Sequence, residues 1–316
     1  MKVLFVCRGN KADVISPIIK AQALSLRKKG IDVDIFPVEG KNYLGYFKSI
    51  GKLRAFARKD NFDIIHAHFG FTALMCSVAI PRRKLIVSLM GSEIYYSQTM
   101  RFLCRIFSKY FWKRTIVKSY AMAVLLKGKN ITILPNGVDL ETFYPVEKKT
   151  ARAKLSLPEG KTILLFPSYP FRKEKNFDFI RKITGKTENV LLVHFRYEPQ
   201  NIINLYYNAA DVVVMASSFE GSPNTIKEAM ACNCPIVATD VGDVGWVMGD
   251  TEGCFLSTLN EEEYLSSLSK ALLFANSKGK TSGRNRIIYL GLSSDIIAEK
   301  LIEIYKGSII SGRGNA

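Results

Sequence analysis

With 316 residues the chain is too long for one ordinary domain and long enough for two of about 150 residues, each with its own core. Apolar residues make up 47% of it, yet no run approaches the ~20 that a membrane-spanning helix needs, so such a helix is excluded. The formal charge of +17 demands a polyanionic partner, whether phosphorylated substrates, an acidic lipid surface or nucleic acid.

The chain enters an apolar strand (3–7) directly, so neither a leader peptide nor a membrane anchor is expected and a cytoplasmic setting is. Cys7-Arg-Gly-Asn-Lys11 follows, with Gly9 placed to bring backbone close to a phosphate. Further strand-like runs at 33–38, 64–68, 85–90, 121–125 and 131–134 alternate with helical stretches, which predicts a doubly wound parallel sheet. His66 and His68, two apart on a strand end, point to one face. One of them, His68 by preference because it lies nearer the strand's C-terminal edge, is a candidate for the acceptor side of a site, against a buried histidine bonded to backbone. Arg101, Arg105, Lys109 and Lys113 recur every fourth residue with aromatics on the other faces, so 100–118 reads as a basic amphipathic helix. It either packs its aromatics on the sheet or meets an anionic membrane surface.

The polar stretch 139–161, with Pro145 and Pro158, reads as a linker and places the first domain at 1–145. Runs at 162–167, 190–195, 211–216, 235–239 and 254–256 predict a second parallel sheet, in a domain spanning 146–291. A last helix near 294–305 carries Ile297, Leu301 and Ile304 at helical spacing. The six cysteines form no C-x2-C pair, and with three histidines in all a zinc centre is not expected; reduced thiols fit better.

The most telling stretch is Glu220-Gly-Ser-Pro-Asn-Thr-Ile-Lys-Glu228, at a strand-to-helix corner of the kind that binds ligands in open α/β sheets. Ser222 is a favoured N-cap type and Pro223 suits the first helical position, so a helix is predicted to start there. Its free N–H groups, from Asn224, Thr225 and Ile226, would face phosphate oxygens. Glu220 can accept hydrogen bonds from a sugar, and Glu228, on the helix face of Asn224 and Thr225, can reach a ribose diol. In the loop after the strand at 162–167, Arg172, Lys173 and Lys175 stand where cations can neutralise a leaving diphosphate.

Residues 217–244 closely resemble the donor-site signature of the family 4 glycosyltransferases, retaining enzymes of the GT-B fold. His66-Ala-His-Phe-Gly70, Leu134-Pro-Asn-Gly-Val-Asp139 and 166–176 are similar to three further signatures of that family, in the same order. The resemblance implies an α/β, GT-B architecture: two Rossmann-like doubly wound parallel-sheet domains facing a cleft, with a terminal helix (292–316) crossing back to the first. It implies a metal-independent retaining transferase without cofactor, acting on a nucleoside-diphosphate sugar and a saccharide or lipid-linked acceptor in surface-polysaccharide assembly. Lys175 matches the family's diphosphate-loop lysine. The usual arginine position is Pro170, and Arg172 is the substitute. Before Gly91, a candidate for close backbone approach to the donor, Met90 replaces the usual histidine.

Two other readings compete. In one the fold is kept without catalysis, leaving a sugar-nucleotide-binding or scaffold protein. In the other the charge marks a nucleic-acid binder, but no basic-aromatic recognition motif supports it, and no nucleic-acid partner is expected.

Overall fold

The computed structural model describes residues 1–9, 15–39, 43–81, 84–128, 130–195 and 198–313, apart from the side chains of 43–44 and 311–313. These form two units, Met1–Gly137 with Ser294–Ala316, and Val138–Ser293.

In the first unit, β1 (Lys2–Arg8), β2 (Asp32–Val38), β3 (Ile64–His68), β4 (Leu85–Ser88), β5 (Arg114–Val117) and β6 (Ile131–Ile133) form a parallel sheet of order 2-1-3-4-5-6. Helices α1 (Pro17–Lys28), α2 (Tyr43–Lys59), α3 (Gly70–Ala79), α4 (Ser92–Tyr95), α5 (Gln98–Tyr110) and α6 (Tyr120–Leu126) connect them. Strands covered on both faces have no polar side to show, which is why β1 and β4 read as unbroken apolar runs rather than alternating ones.

The stretch between α4 and β6 corrects two expectations. The basic helix stops at Tyr110, Trp112 turns fully into the core, and 114–117 is a strand paired with β4 and β6. The run 121–125, expected to be a strand, is helical: the Ser119 hydroxyl accepts from Met122 N at 3.4 Å and starts α6. A short apolar run satisfies either period, and the pairing partners that decide it are distant in sequence. The expected basic face is also largely engaged. Arg101 donates to the Ile94 carbonyl at 2.8 Å, and Arg105 donates to the Leu125 and Leu126 carbonyls at 2.9 and 3.1 Å, capping the C-terminus of α6.

The second unit carries β7 (Thr162–Phe166), β8 (Val190–His194), β9 (Val212–Met215), β10 (Ile236–Thr239) and β11 (Cys254–Ser257), all parallel, in the order 11-10-9-7-8. Its helices are α7 (Lys148–Lys154), α8 (Phe177–Thr184), α9 (Gln200–Ala209), α10 (Asn224–Ala231), α11 (Val244–Met248), α12 (Glu261–Ser277) and α13 (Gly283–Tyr289). The strand order reverses between β7 and β9, so the loops leaving these two strands run to opposite sides and open a crevice at their carboxyl ends.

The stretch expected to be a linker is built into this unit. Within α7, buried Arg152 donates to Asp211 Oδ2 at 2.7 Å and to the carbonyls of Ala209 and Glu159. Asp211 also accepts from Lys148 Nζ and Ile163 N. The division falls at Gly137/Val138 rather than at 145, because Tyr144 N and Val146 N donate to the Asn204 and Asn208 side chains, and Arg284 donates to the Leu140 and Phe143 carbonyls. The chain closes with α14 (Ser294–Arg313), which packs on α1 of the first unit. Among the described residues no helix is long and apolar enough to cross a membrane.

Candidate functional site

The crevice between β7 and β9 is built by two loops that grip each other. After β7, the chain makes a 3-10 turn at Lys173–Lys175 and ends it with Asn176 at φ +53°, a conformation asparagine tolerates better than most residues. The Asn176 amide then donates to the Ala216 carbonyl at 2.7 Å and to Ser218 Oγ at 2.8 Å, while Ser218 N donates to the Glu174 carbonyl at 2.9 Å. This stapling drives Lys175 inward, to 7% exposure, where its ammonium donates to Glu220 Oε1. The same oxygen accepts from Ser217 Oγ at 2.9 Å. Two residues 45 apart in sequence thus form one charge-assisted contact in the crevice. Arg172 does not share it: its side chain is 55% exposed and its guanidinium donates to Glu174 at 2.7 Å. The two cations expected at the diphosphate are placed differently, Lys175 within and Arg172 at the rim.

The helix start differs by one residue from expectation. Pro223, not Ser222, is the N-cap of α10, and no side chain caps it. The first N–H groups therefore gain no acceptor from the cap residue, as an anion-binding helix start requires. Ser222 instead donates to Asp243 Oδ2 at 2.6 Å and accepts from Lys227, whose ammonium lies 3.6 Å from Asp243. Lys227 is fully buried, and burial holds its pKa below the ordinary lysine range. This Ser222–Lys227–Asp243 cluster ties the loop after β9 to the loop after β10. Gly242 completes the tie: at φ +67°, a Cβ there would stand 2.8 Å from both the Glu220 and Gly221 carbonyls. Lys227 and Asp243 were missed in the sequence. The one signal was a lysine on the stripe that buries Ile226 and Met230.

Glu228 lies four residues after Asn224 on α10 and accepts from the Tyr207 hydroxyl at 2.8 Å. Burial raises its carboxyl to about 7, against the smaller opposing pull of Tyr207 and Lys227. Thr225 touches Met215 Sδ at 3.9 Å. Asn224 Oδ1 and Asp243 Oδ1 are buried without a hydrogen-bond partner, so the corner holds unspent polar capacity.

In the first unit, Gly9 N donates to the Val38 carbonyl, so that N–H is not offered to a ligand; Asn10 and Lys11 lie outside the described residues. Gly91, at φ +127°, gives its N–H to Glu93. Glu93, also missed, is buried and accepts from Gly70 N, Met90 N, Gly91 N and Ser92 Oγ at 3.0–3.2 Å, knotting the loops after β3 and β4 together. His66 is corrected from a ligand-facing to an interior role: one ring nitrogen meets the Tyr305 hydroxyl on α14 at 2.6 Å and the other meets Ser88 Oγ at 2.8 Å. His68 stacks on it at 4.3 Å, is 1% exposed, and has its Nε2 buried without a partner. Burial, reinforced by the charge of Lys118, pushes His68 down to about 3, so it is neutral at physiological pH. Among the described residues no group of three or more His, Cys, Asp or Glu is arranged to hold a metal ion.

The family model described as Glycosyltransferase Family 4 matches residues 6–142, and that described as Glycosyl transferases group 1 matches 165–273. Each unit therefore matches a glycosyltransferase family model. Their GT-B fold is shared with sucrose-phosphate synthase from Thermosynechococcus elongatus, at a TM-score of 0.85 over 98% of this chain and 100% of that one, with 17% identity. Anabaena HepE, solved with UDP-glucose, is similar at a TM-score of 0.78 and 16% identity, over 97% of this chain and 100% of its own. In sequence, a D-inositol 3-phosphate glycosyltransferase of Arthrobacter sp. (strain FB24) is 29% identical over 155 residues, 38% of this chain and 36% of that protein. The GT-B chain covers less than two thirds of the length of the curated relatives it matches.

Proposed function

We propose that this protein is a retaining, metal-independent glycosyltransferase that moves a sugar from a nucleoside-diphosphate sugar to a hydroxyl of a saccharide or lipid-linked acceptor. The observation that carries the reading is the Lys175–Glu220 contact at the strand-order reversal, beside the uncapped start of α10. On binding, the diphosphate takes Lys175 and the first amides of α10, Arg172 approaches from the rim, and Glu220 turns from the lysine to the sugar hydroxyls. Glu228 holds the ribose diol. As the bond from sugar carbon to diphosphate oxygen breaks, the acceptor oxygen bonds to that carbon from the same face. The acceptor's proton passes to the departing phosphate, so no side-chain base is needed and Met90 is no obstacle. Glu93 keeps the Met90-Gly91 loop in shape. The setting we propose is assembly of a surface polysaccharide on the cytoplasmic side of a membrane.

The test is nucleotide release from a panel of radiolabelled nucleotide sugars, with water and saccharides as acceptors, by the wild type and Glu220→Ala. Release from at least one donor, lost in a variant that still folds, is the expected result. No release from any donor favours an inert binding protein. Turnover within about threefold of wild type in the variant, under ~0.7 kcal/mol, removes Glu220 from the mechanism.

A further inference from the structure

We propose that the outer face formed by α2 and α3 is a docking surface for an anionic phospholipid bilayer. Tyr46, Phe47 and Ile50 of α2 and Phe71, Leu74, Met75 and Val78 of α3 line an open apolar cavity of about 270 Å³ that Phe107 of α5 closes. Its rim is left in water: Phe47 is 69% exposed, Val78 60% and Phe71 47%. Scattered exposed apolar side chains are ordinary, whereas a contiguous groove of them marks an interaction site. Further along the same two helices lies a second cavity of similar size, lined by Arg54, Arg58 and Lys84 over an apolar floor that includes Phe62, Ile65 and Ile80. Positions 47, 50, 54 and 58 follow helical spacing, so one face of α2 runs from apolar to cationic. Arg54 stands at the junction and donates to the Val78 carbonyl at 2.9 Å.

An apolar groove continuous with a cluster of cations matches a molecule with hydrocarbon at one end and an anion at the other. Nucleic acid would use the cations but leave the groove wet. A second copy of the chain would fill the groove but set +17 against +17. A bilayer containing acidic lipid satisfies both parts. What sets this surface apart from the basic residues of 100–118 is the open apolar groove beside it, since cations of both bond backbone carbonyls: Arg54 and Lys84 those of Val78 and Phe62, Arg101 and Arg105 those of Ile94, Leu125 and Leu126. The proposal is independent of the transfer reaction.

The experiment is flotation of the full chain with vesicles of phosphatidylcholine alone, and of phosphatidylcholine mixed equally with phosphatidylglycerol. Binding to the mixed vesicles only, weakened by salt, is expected. Phe47→Ser with Val78→Ser should lower partitioning at least about tenfold, and Arg58→Ala about fivefold, with thermal melts showing both variants folded. Phe47→Trp supplies a second readout: the emission of the introduced indole should shift to the blue on mixed vesicles and be quenched by brominated acyl chains. The proposal is overturned if the wild type ignores phosphatidylglycerol, if the serine variant floats as well as wild type, if the indole introduced by Phe47→Trp stays water-exposed on vesicles, or if the groove proves buried in a dimer.

Discussion

Replacing Glu228 by Gln should stabilise the second unit above neutral pH and leave it unchanged below pH 4.5. The folded carboxyl titrates at about 7 rather than 4.5, with burial as the main cause. At 1.36 kcal/mol per pKa unit the difference corresponds to about 3 kcal/mol. Because the folded state holds the proton more tightly, it carries more protons than the unfolded chain between pH 4.5 and 7. Stability therefore falls as pH rises through that window, and the deficit is constant above it. Glutamine keeps the shape and can accept the same 2.8 Å bond from Tyr207, but never ionises. The gain should grow from nothing at pH 4.5 to about 3 kcal/mol at pH 8, roughly 6–12 °C in the melting temperature of a unit this size. Calorimetry of wild type and Glu228→Gln across pH 4.5–8.5 measures it. A stability difference independent of pH, or a glutamine variant less stable at pH 8, would refute the reasoning. If a donor's ribose diol needs the ionised carboxylate, wild-type affinity should weaken about tenfold per unit below pH 7 and the glutamine variant should show no such slope.

Arg152→Met should cost about 1–3 kcal/mol in urea unfolding, since it takes one of two cations from Asp211 and a donor from the Ala209 and Glu159 carbonyls, while Lys148 and Ile163 N still hold the carboxylate. Gly242→Ala should cost at least about 2 kcal/mol through its left-handed backbone, and the new Cβ should displace Glu220 and Gly221 enough to weaken nucleotide-sugar binding in calorimetric titration. Tyr305→Phe removes a hydrogen-bond partner from buried His66, so the first unit should lose about 1–3 kcal/mol while hydrogen exchange of α14 accelerates.

Much of this was legible along the chain. Parallel strands covered on both sides announce themselves as apolar runs, as β1, β4, β9 and β10 do, and ten of the eleven predicted runs became strands. The corner at Glu220 was legible too: a strand, a sharp turn and Pro before a helical pattern are local facts, and their chemistry follows from residue type. The run 121–125 failed because its apolar composition suited a helix equally, and the deciding contest was whether 114–117 or 121–125 paired with β4.

What the tertiary structure alone decided is which charges meet. Lys175 and Glu220, Lys227 and Asp243, His66 and Tyr305 leave separate strands or helices, and no local pattern encodes that the loops after β7, β9 and β10 converge. Nor could the sequence say that Arg172 would turn outward to Glu174, or that Glu93 would spend its carboxylate on four neighbouring N–H and O–H groups. The physical reason is range: periodicity and capping act within a few residues, whereas the burial that raises Glu228, lowers Lys227 and silences His68 belongs to the assembled sheet and exists only once distant segments have excluded water together.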